Sequence, residues 1–160
     1  MDHVAYIALG GNIEPRAESL LKATMLLDEA PGVSVRRVSL LVETAPVGPP
    51  QPNYLNGAAE LSTTLEPEEL LEVLHGIESR LGRERGNEIP WGPRTCDLDL
   101  LTYDERVVQG ERLTLPHPRM HERTFVLLPL ASIAPDLVHP VLKKTMAQLL
   151  QEAQRAEGRR

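Results

Sequence analysis

Leu70, Leu74, Ile77 and Leu81 recur at three- and four-residue spacing between Pro67 and Gly82. That bracketed stripe constrains the fold more than any other feature of the chain. Pro67 suits a first helical turn, where its missing N–H would have no intrahelical partner. Glu66, Glu68 and Glu69 fall at the positive end of the helix dipole, and Gly82 ends the helix. A helix with one apolar face needs a second surface to cover it, and the flanking chain supplies runs of strand pattern. Val4 to Leu9 is a short apolar run closed by Gly10-Gly11-Asn12. A helix follows from about Pro15, with Ala17, Leu20, Thr24 and Leu27 sharing one face, and Pro31-Gly32 stops it. Val33 to Thr44 is rich in β-branched residues and reads as one strand. Residues 45–52 hold too many prolines for regular structure. Tyr54 to Thr63 reads as a third strand with Asn56, Ala58, Glu60 and Ser62 on one face, and Thr95 to Tyr103 as a fourth.

The order βαββαβ is the split arrangement of ferredoxin-like folds. The expectation is therefore an α+β domain over residues 1–160, with an antiparallel sheet and helices on its face or faces. A hairpin-like stretch near Val107 to Leu115, a segment after Pro118 and a helix from about Thr145 complete it, with residues 155–160 as a frayed tail. A chain of 160 residues suits one core. The formal net charge of −6 gives no support to general nucleic-acid binding. No run is long and apolar enough for a membrane span. Cys96 is the single cysteine, so neither an intramolecular disulfide nor a cysteine-built zinc site is available. The opening Met1 to Tyr6 lacks a secretory layout, and the cytoplasm is the expected compartment.

Asp97 and Asp99 alternate with Leu98 and Leu100 on the fourth strand. Period two puts both carboxylates on one face with Cα atoms roughly 6–7 Å apart. That spacing suits hard cations such as magnesium in phosphate chemistry. The same pattern also describes an amphipathic strand with a solvated acidic face. Arg94 precedes the pair, and Arg83 and Arg85 lie on the preceding loop. Guanidinium forks match phosphate oxygens, although Arg94 could equally pair with Asp97. Trp91, the only tryptophan, stands in a Gly/Pro-flanked loop, where it could stack on a base, cap a lid or plug the core. His117, between Pro116 and Pro118, is held on a rigid turn and is either a phosphate contact or an ordinary loop histidine. Tyr54 and Phe125 are two of five aromatic residues. With Asn56 they could sandwich a planar heterocycle and read its edge, or both rings could lie in the core.

Taken together these segments resemble the 6-hydroxymethyl-7,8-dihydropterin pyrophosphokinase family over nearly the whole chain. The resemblance is carried by Val4 to Asn12, Glu43 to Gly48, Asn53 to Ala58, Ile77 to Arg83, Leu115 to Met120 and Arg123 to Leu127. Its most specific block is Trp91 to Leu101. It implies transfer of pyrophosphate from ATP to a pterin alcohol, with two magnesium ions bound by Asp97 and Asp99. It implies Arg83 and Arg94 gripping the triphosphate, and His117 and Arg123 adding phosphate contacts. Arg112 and Thr114 would line the nucleotide side, Glu78 would lie near the ribose, and Arg85, Trp91 and Leu100 would also serve ATP. Tyr54 and Phe125 would sandwich the pterin, with Asp97, Asn56 and the backbone of Thr44, Ala45 and Val47 around it. The family pattern further implies a monomer with mobile loops at residues 44–53 and 83–93. Two other classes share part of the pattern. Metal-dependent nucleotidyl or glycosyl transferases do not need the Tyr54–Asn56–Phe125 set, and a non-catalytic ferredoxin-like binding domain does not need the aspartates.

Overall fold

The computed structural model describes residues 3–46, 48–82 and 95–158. Its framework is β1 (His3–Gly11), α1 (Arg16–Glu29), β2 (Val33–Val38), β3 (Val42–Thr44), β4 (Tyr54–Thr63), α2 (Pro67–Arg80) and β5 (Asp97–Tyr103). A small hairpin of β6 (Val108–Gln109) and β7 (Thr114–Leu115) follows, then α3 (Thr124–Ile133) and α4 (Met146–Gly158). The main sheet runs β2-β4-β1-β5, with β3 paired to β4, and every pairing is antiparallel. This is the expected α+β ferredoxin-like order.

Alternation along β1 builds two cores from one strand. Ala5, Ile7 and Leu9 pack with Leu20, Ala23 and Leu27 of α1 and Leu70, Leu74 and Ile77 of α2. Tyr6 faces the other way and packs with Ala58, Leu101 and the apolar residues of α3 and α4. The sheet is thus covered on both faces. The α1 stripe is Leu20, Ala23 and Leu27 rather than one including Ala17, which is exposed. Among the described residues no helix is long and apolar enough to cross a membrane.

Three expectations are corrected. Val33 to Thr44 is two strands, because Ser39 interrupts the ladder. Its N–H donates to the Ala58 carbonyl at 2.9 Å, and its hydroxyl accepts the Ala58 N–H at 2.8 Å. A serine side chain that competes with the backbone in this way breaks regular pairing. The three residues between Val38 and Val42 then face the two between Ala59 and Asn56, and Leu40 is left 85% exposed. The segment after Pro118 contains α3, which periodicity alone missed. It is apolar on nearly every side, as a helix pressed between layers should be, and it carries Pro129 in its interior. The tail does not fray at residue 155: α4 runs to Gly158, and the Thr124 hydroxyl at the start of α3 donates to the Glu157 carboxylate at 2.6 Å.

Leu74 is fully buried, at 0% exposure, between α2 and the sheet. Leu74→Ala is expected to lower the unfolding free energy by about 2–5 kcal/mol. The change should appear as a shifted urea midpoint at unchanged denaturant slope.

Candidate active site

The pairing register sets the site. Gly10 of β1 stands opposite Asn56 of β4 on one side and Asp97 of β5 on the other. Ala8 likewise stands between Ala58 and Asp99. Directly paired residues share a face, so Asn56, Gly10 and Asp97 form one row, with Asn56 and Asp97 about 10 Å apart. Gly10 leaves the middle of that row open. A Cβ added there would lie 3.1 Å from Asn56 Oδ1. That oxygen therefore overhangs the gap, while Asn56 Nδ2 donates to the Thr44 hydroxyl on β3. Tyr54, two residues before Asn56, lies on the same face by strand alternation.

Phe125, near the start of α3, packs against the cluster containing Ala8 and Ala58, which belongs to this face. The Arg123 guanidinium sits 5.7 Å from the centre of the Phe125 ring. Burial first, then the charge of Arg119, lowers the pKa of that guanidinium, while the carboxylates of Asp99 and Asp97 act in the opposite sense. Arg123 is thus electrostatically in reach of the acidic pair.

On the other side of Asp99 lies a cavity of about 300 Å³. The sequence-predicted residues Asp99, Leu100, Arg112, Thr114 and His117 all line it and so come together, with Leu98 beside them. The His117 N–H donates to the Leu101 carbonyl at 2.8 Å, and its Nδ1 accepts the Arg119 N–H at 3.2 Å. Burial, then Arg123 and Arg119, push the imidazole pKa down to about 4. At neutral pH the ring is uncharged, with its proton on Nε2. Arg112 is paired with Glu72 of α2.

Leu71 and His75 also line the cavity, and the sequence reading passed over both. The available signal was their i, i+4 spacing on α2, just off the buried stripe. Asn12 was passed over too. It is buried, and its side-chain amide donates to Gln51 Oε1 at 2.9 Å and to the Pro52 carbonyl at 2.8 Å. The end of β1 is thereby tied to the segment that leads into Tyr54. Glu78 lies on α2, one turn beyond His75. It does not line this cavity; it is 1% exposed and accepts the Leu98 N–H at 2.8 Å. Ala45 is exposed beside β3. Val47, Arg83, Arg85, Trp91 and Arg94 lie outside the described residues, as does the whole of 83–93.

Among the described residues no three His, Cys, Asp or Glu side chains converge as a complete metal cage. A pair of carboxylates on one strand face nevertheless suits magnesium, which usually keeps several waters and takes other oxygens from substrate phosphates. Asp97 and Asp99 face small residues, Gly10 and Ala8, across β1. That leaves room for such oxygens, so the residues present fit the ion.

The arrangement has clear relatives. A model of the 7,8-dihydro-6-hydroxymethylpterin-pyrophosphokinase family (HPPK) matches residues 6–135. A 2-amino-4-hydroxy-6-hydroxymethyldihydropteridine pyrophosphokinase of Synechocystis is 47% identical over 150 residues, covering 94% of this chain and 76% of that protein. One of the same name from Bacillus subtilis is 50% identical over 134 residues, covering 83% and 79%. A solved structure of HPPK-DHPS in complex with substrates superposes with a TM-score of 0.79 at 12% identity. The chain covers 45% of that longer molecule, and the likeness at this identity concerns the fold. On the family match and the two bacterial relatives, the chain belongs to the 7,8-dihydro-6-hydroxymethylpterin-pyrophosphokinase family.

Proposed function

We propose that this site transfers diphosphate from ATP to the hydroxymethyl group of 6-hydroxymethyl-7,8-dihydropterin, as a step of folate biosynthesis, and that the protein works as a cytoplasmic monomer. One observation carries the reading. Asp99 lines the cavity, while Asp97, on the same face, lies in the row with Gly10 and Asn56. The acidic pair therefore borders two subsites, as a reaction joining two substrates requires.

The pterin belongs over the Asn56–Gly10–Asp97 row. Asn56 Oδ1 is free to accept a ring N–H there because Nδ2 is committed to Thr44, and Thr44 and Ala45 of the neighbouring strand end offer backbone groups to the heterocycle's edge. Tyr54 and Phe125 supply flat faces for it. The nucleotide belongs in the cavity, with Leu71, Leu98 and Leu100 against the base and Arg112 and Thr114 beside it. His117 contributes a neutral Nε2–H donor to a phosphate oxygen, and Arg123 contributes a fixed positive charge. Arg83 and Arg94 are assigned the remaining grip on the triphosphate, with Val47, Arg85 and Trp91 around the two substrates.

Asp97 and Asp99 would hold magnesium, two ions in this reading. When bound, magnesium supplies charge neutralisation on the phosphate oxygens and on the alcohol oxygen as it becomes nucleophilic. The reaction is an in-line displacement. The primary alcohol oxygen bonds to the β-phosphorus, the bond to the α-phosphate oxygen breaks, and AMP leaves with the electron pair while the alcohol proton is released. This chemistry depends chiefly on positioning and charge stabilisation, which is what the row, the cavity and the cationic side chains provide.

With ATP, magnesium and the pterin alcohol, AMP is the expected product; release of ADP, or of AMP without the pterin, would sink the assignment. Asp97→Asn should reduce metal affinity and turnover in parallel. Turnover that collapses while metal affinity holds would instead make Asp97 a general base. His117 is expected to titrate near pH 4 by NMR, not at the ordinary value of about 6.5. The sign follows from that lowered value: the unfolded chain takes up the proton first, so stability contributed by the neutral ring is full above about pH 6.5 and is lost as pH falls toward 4. A midpoint at the ordinary value would remove the neutral-donor role.

A further inference from the structure

β5 is the last strand of the sheet, so its outer edge must find hydrogen-bond partners outside the ladder. Two groups among the described residues supply such partners. The Leu101 carbonyl accepts the His117 N–H, and the Leu98 N–H donates to Glu78 Oε2 at 2.8 Å. Leu98 is the residue between the two aspartates. Glu78 comes from α2, whose Leu70, Leu74 and Ile77 share one apolar cluster with Leu98 and Leu100. The carboxylate is therefore anchored by a packed helix, and its bond to the Leu98 N–H holds the peptide that separates Asp97 from Asp99.

A carboxylate only 1% exposed is costly unless its oxygens are hydrogen-bonded. A bond from a backbone N–H to a charged oxygen is about twice as strong as one between neutral groups. Leu71 and His75 of the same helix reach the cavity, but Glu78 does not line it. One turn on, its side chain has been turned to the strand edge.

We propose that Glu78 is a positioning residue for the acidic pair. Acting through the Leu98 N–H, it holds Asp97 and Asp99 in the arrangement that takes magnesium. The proposal rests on the reading of Asp97 and Asp99 as magnesium ligands. It places Glu78 in the shell of groups that orient metal ligands, where substitutions typically weaken metal affinity about 10- to 100-fold.

The test uses Glu78→Ala and Glu78→Gln in the full chain, with three measurements on each. These are hydrogen exchange at the Leu98 amide, the magnesium concentration giving half-maximal AMP release, and KM for ATP against kcat. A glutamine oxygen can still accept the Leu98 N–H, whereas alanine cannot. The Leu98 amide should be protected in the unaltered protein and exposed in E78A. E78A should also raise the half-saturating magnesium by about 10- to 100-fold, and E78Q should restore both properties most of the way.

An exposed Leu98 amide in E78A with an unchanged magnesium requirement would overturn the proposal, because the bond would then serve stability alone. A defect common to both variants and confined to KM for ATP would also overturn it, in favour of a direct nucleotide contact. Should E78A fail to fold, the unaltered protein and E78Q still decide. Rapid exchange of the Leu98 amide in the unaltered protein, or an E78Q magnesium requirement raised although that amide stays protected, counts against the idea. The parent reading is tested separately: AMP release by the unaltered protein without any divalent cation would remove the magnesium assignment itself.

Discussion

The pairing of β1 with both of its neighbours is the constraint on which the rest depends. β1 is flanked by β4 and β5, and its nine residues set the register of each. Through that single strand, Asn56, drawn from the middle of the chain, and Asp97, forty-one residues later, meet across Gly10. A slip of one residue in either pairing would turn every side chain of the moved strand to the opposite face. Asp97 and Asp99 would then point into the layer of α1 and α2, and Leu98 and Leu100 would take their places. The apolar interiors on both faces oppose that slip, so the packing that stabilises the fold also aims the carboxylates.

The two faces of the sheet divide the work. The face under α1 and α2 is apolar along its length, from Ala5 and Ile7 to Leu98 and Leu100. The other face is covered by α3 and α4 only in part. Along β5 it passes from Asp97 and Asp99 to Leu101, and along β4 from Tyr54 and Asn56 to Ala58. The core ends where the polar residues begin, and the site occupies the uncovered end. An irregularity in the pairing at Tyr6 and Ile7, with Leu101 as the extra residue, lets Leu101 and Tyr103 enter opposite cores although they are two residues apart, without disturbing the alternation of the aspartates. A bulge of this kind re-aims side chains beside functional sites.

Most of the framework was legible because it is written in local periodicity. The stripe of α2, the alternation in β4 and β5, and the Gly and Pro stops needed no long-range information. The failures have a common cause. Ser39 divides a β-branched run because Ala58, nineteen residues away, offers it both halves of a hydrogen-bonded pair. Helix α3 shows little periodicity because both its sides are covered. The last turns of α4 are held by Thr124, a partner invisible from a charged tail. In the site, Asp97 and Asp99 stood out by residue type and spacing, His117 stood out only as one of two readings, and Arg112 and Thr114 came from the family resemblance. Leu71 and Asn12 did not stand out, since an aliphatic cavity wall and a buried loop tether look like ordinary packing and turn chemistry.

Glu78 marks the boundary most clearly. The family resemblance pointed it toward the nucleotide. The fold brings one of its oxygens to the edge of β5, because an end strand leaves amides that need acceptors and α2 carries an oxygen within 2.8 Å of one. The sequence by itself determined the elements, their order and the chemical character of the acidic pair, all of which follow from neighbours within a few residues. Only the tertiary structure decided which residues stand in a row with that pair and which group holds it in place, because those depend on strand register and helix packing between segments far apart in the chain.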